Sequence, residues 1–153
     1  MNHVRAQIRQ AVAAALTAIP TTEGRVYASR VYPHEALPAI GIYAAEETVI
    51  EDRMAIGGQS FWITRALILV LEVRAMSSVT ATEDRFDDQI DQIAAEIEPV
   101  MSTDETWGGL AQATDYLGVA IDFNDELEAP LALARFQYRI VYQTDAADPT
   151  NPS

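Results

Sequence analysis

Three places in the sequence carry residue types that do chemistry elsewhere, and none has the full set. His34 and Glu35 sit side by side between Pro33 and Pro38. A histidine beside a carboxylate suggests acid–base work, but neighbours on an extended segment point their side chains apart. The only other histidine is His3, far along the chain, and a zinc site wants three or four ligands. Asp122 and Asn124 open like a calcium loop, yet Leu127 stands where that loop needs its glycine and Leu133 where it needs its last carboxylate. The glycines of "AIGGQS" and "GLAQATD" belong to no phosphate loop, because that motif needs a lysine and the chain has none. Ser29, Ser60, Ser77 and Ser78 have no identifiable base. With no cysteine, thiolate chemistry and disulfides are excluded. These residues point to no catalytic activity and no cofactor or metal.

Charge is the more informative signal. The 153 residues carry 23 acids against 10 bases, a formal net charge of -13, and every base is arginine. Such a chain repels nucleic acid at long range and offers no basic patch to an anionic membrane. Asp84, Asp87, Asp88 and Asp91 recur at spacings that stack them on one helix face, where like charges repel unless a solvent shell or an arginine-bearing partner relieves them. Arg65, Arg74, Arg135 and Arg139 fall in strand-like segments. Each can pair within the chain or reach an acid on a neighbouring copy, and Asp87, Asp88 and Asp91 are candidate acceptors for the second.

The elements that position these residues follow from hydrophobic periodicity. Val4, Ile8, Val12, Leu16 and Ile19 make a 3.6-residue stripe and predict a helix over 2–19, stopped by Pro20. Strands are expected at 25–32, 39–45, 61–76, 116–123 and 131–144. In the longest of them, 61–76, Leu67, Leu69, Leu71 and Val73 share one face while Ala66, Ile68 and Val70 take the other, the pattern of a central strand. Leu117, Val119, Ile121 and Phe123 should share one face, and Phe136, Tyr138, Ile140 and Tyr142 should point inward. A second helix is expected from the Thr80/Glu83 capping pair, with Phe86, Ile90, Ile93 and Ile97 as its apolar face, ending or kinking at Pro99. Between the second and third strands, 46–60 is expected to be a long connection whose charged and apolar residues (Glu46, Glu47, Val49, Ile50, Glu51, Asp52, Arg53, Met54 and Ile56) would contact a partner.

The result is one α+β domain over 1–144, in the order α-β-β-β-α-β-β, with disorder expected at 145–153. A two-layer α/β sandwich follows: a mainly antiparallel sheet of about five strands with two long amphipathic helices, and a parallel pair possible across the second helix. Nothing in the sequence is apolar for long enough to span a membrane.

The run "RAQIRQAVAAALTAI", "GRVYASRVYP", "LPAIGIYAAEE", then "RALILVLEVRA", "TEDRFDDQIDQIAAEIEPVM", "YLGVAIDF" and "PLALARFQYRIVYQT" resembles the phage tail terminator family, the minor tail protein U-like proteins, over about residues 2–144. The resemblance implies a structural virion protein without catalytic residues. Copies would form a homo-oligomeric, hexameric ring at the head-proximal end of the tail, assembled in the host cytoplasm. The ring would cap the tail tube protein, end its polymerisation and meet a neck or head-completion protein, and DNA would cross the lumen without specific binding. Another head–tail connector or tail-completion protein is the alternative, and a small acidic ligand-binding α/β domain a further one.

Overall fold

The structure is a computed structural model that describes residues 2–29, 37–54, 61–76, 83–124 and 131–153. It is α+β: two helices and a five-stranded, open, mixed sheet. The elements are α1 (Val4–Leu16), β1 (Val26–Tyr27), β2 (Ala39–Met54), β3 (Phe61–Met76), α2 (Glu83–Thr103), β4 (Ala113–Asn124) and β5 (Leu131–Asp145). The sheet order is β1-β2-β3-β5-β4.

The strict alternation in β5 decides which way the sheet faces. Ala132, Ala134, Phe136, Tyr138, Ile140 and Tyr142 are buried, as the period-two pattern requires, and Arg135, Gln137, Arg139 and Gln143 take the other face. Leu67, Leu69, Leu71 and Val73 of β3 join the same core, as do Ile40 and Ile42 of β2. The apolar stripes of both helices fill it: Val4, Ile8, Val12 and Leu16 from α1, and Ile90, Ile93, Ile97 and Met101 from α2. On the other face of β3, Ala66 and Val70 are also buried, which fits its central position.

Several expectations need correction. The connection expected over 46–60 is largely strand. Glu46 to Met54 continue β2 and pair antiparallel with Phe61 to Ile68, through bulges between Ala44 and Glu46 and between Val49 and Glu51. Polar content misleads here because an outer strand tolerates charge wherever its side chains reach solvent. Of the strand expected at 25–32, the described residues form β1 at Val26–Tyr27, which pairs parallel with β2 through Val26↔Ile40 and Tyr27↔Gly41; its expected end at 30–32 and the loop residues His34 and Glu35 lie outside the described residues. This is the sheet's parallel pair. The crossover through α2 instead carries the chain past β3 to the far edge, and β5 then returns between β3 and β4, antiparallel to both.

Pro99 neither ends nor breaks α2. The helix runs on to Thr103, and the side chains of Ser102 and Thr103 both donate to the Pro99 carbonyl in its last turn. Thr80, expected to cap α2, lies outside the described residues, as does the Phe86 side chain. Helix α1 is shorter than expected, and His3 caps it, its Nδ1 accepting from the Arg5 N–H at 3.1 Å. Residues 145–153, for which disorder is expected, fold back onto this cap. The Pro149 carbonyl accepts from the Val4 N–H at 2.9 Å, Thr150 accepts from Gln7, and Ser153 donates to the Gln143 carbonyl. A tail carbonyl thus satisfies a helix N-terminal donor that would otherwise be orphaned.

Candidate functional site

The residues singled out for partner contact separate into two ion networks, one on each face of the sheet, and two apolar margins. The first network lies on the helix side. The bulge after Ala44 places Glu47 opposite Leu67, under the start of α1. Its carboxylate receives Arg5 at 2.9 Å, Arg65 at 3.2 Å and the Tyr142 hydroxyl. Glu47 and Arg65 side chains are each only 15% exposed. Burial is the main cause that pushes the Tyr142 phenol upward, and its hydrogen bond to Glu47 acts in the same direction. Beside it, the His3 ring meets Tyr142 edge-on with centroids 6.4 Å apart. Burial, then the Arg5 and Arg65 charges, lower the His3 pKa against the opposing pull of Glu47.

The second network lies on the other face. Glu72, buried in mid-strand, accepts from Arg74, from Arg135 at 3.3 Å and from the Tyr43 hydroxyl. Arg135 also reaches Asp122 at 2.8 Å, and Arg139 stands 4.0 Å from Asp115. All four arginines proposed for contacts between copies therefore have an acid within their own sheet. Of these, Arg139 is the most exposed and has the longest pairing distance. Asp87, Asp88 and Asp91 line the exposed side of α2 and form none of these pairs.

The apolar margins are more distinctive. At the end of the β2–β3 hairpin, Val49, Ile50, Phe61 and Trp62 are between 39% and 56% exposed. The neighbouring Glu51, Asp52, Arg53 and Met54 are placed on β2 by their backbone alone, and Ile56 lies outside the described residues. On the opposite edge of the sheet, β4 exposes Tyr116, Leu117, Val119, Ile121 and Phe123 by 40% to 52%. Val119, Ile121 and Phe123 sit opposite Phe136, Ala134 and Ala132 and so share the helix-side face, but the helices do not cover them there. Leu117, expected on the same face, instead occupies a bulge between Tyr116 and Gly118. Gly118, at φ +134°, adopts there a backbone that side-chain-bearing residues rarely take.

Sequence reasoning identifies the β4 residues as apolar and sets them on one face of a strand. What it misses is that β4 is an edge. That depends on β5 inserting between β3 and β4, a choice of pairing that alternation alone does not encode. Long, apolar edges are what soluble proteins usually blunt with lysine, proline or a cover. This edge has a bulge, but neither lysine nor proline within β4.

No helix among the described residues is long and apolar enough to cross a membrane. No family model matches the chain, and no curated protein matches it.

Proposed function

We propose that this chain is a structural subunit that closes into a ring of six and caps the head-proximal end of a phage or phage-like tail tube. One observation carries the reading: the chain exposes two separate apolar margins, one at the end of the β2–β3 hairpin and one on the edge strand β4. Two different sticky edges on one protomer favour head-to-tail contact, the β4 margin of one copy against the β2–β3 margin of the next. Heterologous contacts of this kind either propagate as filaments or close as rings. Nine partly exposed apolar side chains are the stock from which such an interface of roughly 800 Å² per partner would be built.

In this reading the domain is a two-layer sandwich, with helices on one side of the sheet. The ring stops tube growth by covering the tube's last subunits, and its far surface meets a neck or head-completion protein. Closing the ring multiplies modest contacts into a stable assembly. Its summed negative charge keeps DNA moving through the lumen instead of adhering. In this reading the β2–β3 hairpin end serves the contact between copies, where the loop expected there was assigned to the tube.

The test is co-sedimentation of the purified chain with tail tubes. Six copies bound per tube, at one end, support the reading. Binding along the tube wall, or no binding, contradicts it.

A further inference from the structure

The last turns of α2 cross the start of β4 and the middle of β5 over a cleft of about 510 Å³, a volume within the usual range for small-ligand sites. Tyr116 and Tyr138 face each other across the β4–β5 ladder and form its wall, with rings stacked at 4.9 Å and 17° apart in plane. Pro99 and Met101 add apolar surface, and Glu98 and Ser102 stand at its helix side.

Two observations single this cleft out. Tyr138 is only 3% exposed, yet its hydroxyl has no hydrogen-bond partner. A buried, unsatisfied hydroxyl is a rarity that calls for a missing partner. Thr114, which also lines the cleft, does not supply one, since its hydroxyl is held between the Trp107 Nε1 and the Glu105 carbonyl. Second, Glu98 accepts from the neighbouring Tyr116 hydroxyl but makes none of the ion pairs found among the described residues, whereas Arg65, Arg74, Arg135 and Arg139 each have an acid. Burial, reinforced by Glu98 and, for Tyr138, first by Tyr116, raises the pKa of both phenols, so neither adds a negative charge to the cleft at neutral pH.

We propose that this cleft binds a guanidinium group on a short apolar stem. The planar cation stacks on the exposed Tyr116 ring, donates to the Glu98 carboxylate, and satisfies the Tyr138 oxygen, while the stem lies along Pro99 and Met101. An anion meets Glu98 and the chain's charge of -13, and a purely apolar ligand leaves the Tyr138 hydroxyl unpaired. The guanidinium has two possible sources: a free small molecule, or an arginine of a second copy, since arginine is the chain's sole basic side chain apart from histidine.

The probe is n-butylguanidinium, titrated into the full chain and followed by NMR of the tyrosine rings, with neutral n-butylurea as control. The expected result is saturable binding, at least about tenfold tighter than the urea, weakened about tenfold by Glu98→Gln and several-fold by Tyr138→Phe. Glu98 is exposed, and its variant should unfold at the same denaturant concentration as the parent. Sedimentation of the same samples separates the sources. If the probe dissociates oligomers and Glu98→Gln does the same, the natural guanidinium is an arginine of a second copy. If it binds without changing the oligomeric state, the site serves a free ligand. Both outcomes support the cleft. Equal affinity for the guanidinium and the urea, or affinity indifferent to Glu98→Gln, overturns it.

Discussion

Glu47 takes two arginines and a tyrosine hydroxyl into one poorly exposed position. Its partners lie 18 residues away at Arg65 and 95 away at Tyr142. The sequence shows that arginines and acids alternate along the strands, but not which acid each arginine meets, because pairing across a sheet depends on register. Glu47 had been expected in a partner-contact loop, and its burial places it in the fold's interior instead. Removing it strands the Arg65 guanidinium, so Glu47→Ala should cost about 3 kcal/mol in urea unfolding. A loss below about 0.5 kcal/mol, the scale of a surface pair, would contradict the structural role. His3 gives a pH signature. Its folded pKa lies below the ordinary 6.5, so the unfolded chain binds the proton more readily. Stability should therefore be full above pH 6.5 and decline as the pH falls below it. Comparing midpoints between pH 7 and pH 5 checks this, and His3→Asn, which keeps a capping side chain, should flatten that part of the slope. An unchanged slope would assign it to other groups. Tyr138→Phe removes the unsatisfied hydroxyl and should stabilise the isolated chain by about 1 kcal/mol; destabilisation of that size would mean that the hydroxyl already has a partner.

At the scale of elements, the core was legible and the edges were not. The helix stripes and the alternation in β3 and β5 follow from periods of 3.6 and 2, and the structure buries nearly every residue those patterns select. The extent of β2 was hidden because its second half is rich in charge, and two bulges interrupt the alternation. The fold-back of 145–153 was hidden because its bonds are to backbone groups at the start of α1, which no side-chain pattern reports. Since 48–54 form part of β2, excising them should abolish cooperative unfolding instead of leaving the fold intact. The edge contact is testable with two single variants, Ile121→Lys on β4 and Ile50→Lys on β2, both at exposed positions. Each should fold normally and weaken self-association about tenfold or more. Mixed together, they retain one intact edge of each kind, so a head-to-tail contact predicts dimers and no rings. Sedimentation velocity reads this directly. Rings from the mixture, or full association by either variant alone, would remove the edge contact.

At the scale of the molecule, the proposed function needs a rigid building block more than a reactive site. The chain has the parts: one core shared by both helices and the sheet, buried ions that fix register on both sheet faces, and apolar margins left over at the β2–β3 hairpin end and on β4. Its acidity then sets how an assembled ring treats DNA and neighbouring proteins. The measurement that tests this most directly is the length distribution of tails, imaged by electron microscopy, from particles made with and without this chain. The account predicts uniform, capped tails in its presence and overlong, open-ended tubes in its absence. Tails of normal length that still join heads and infect, made without it, would contradict the account.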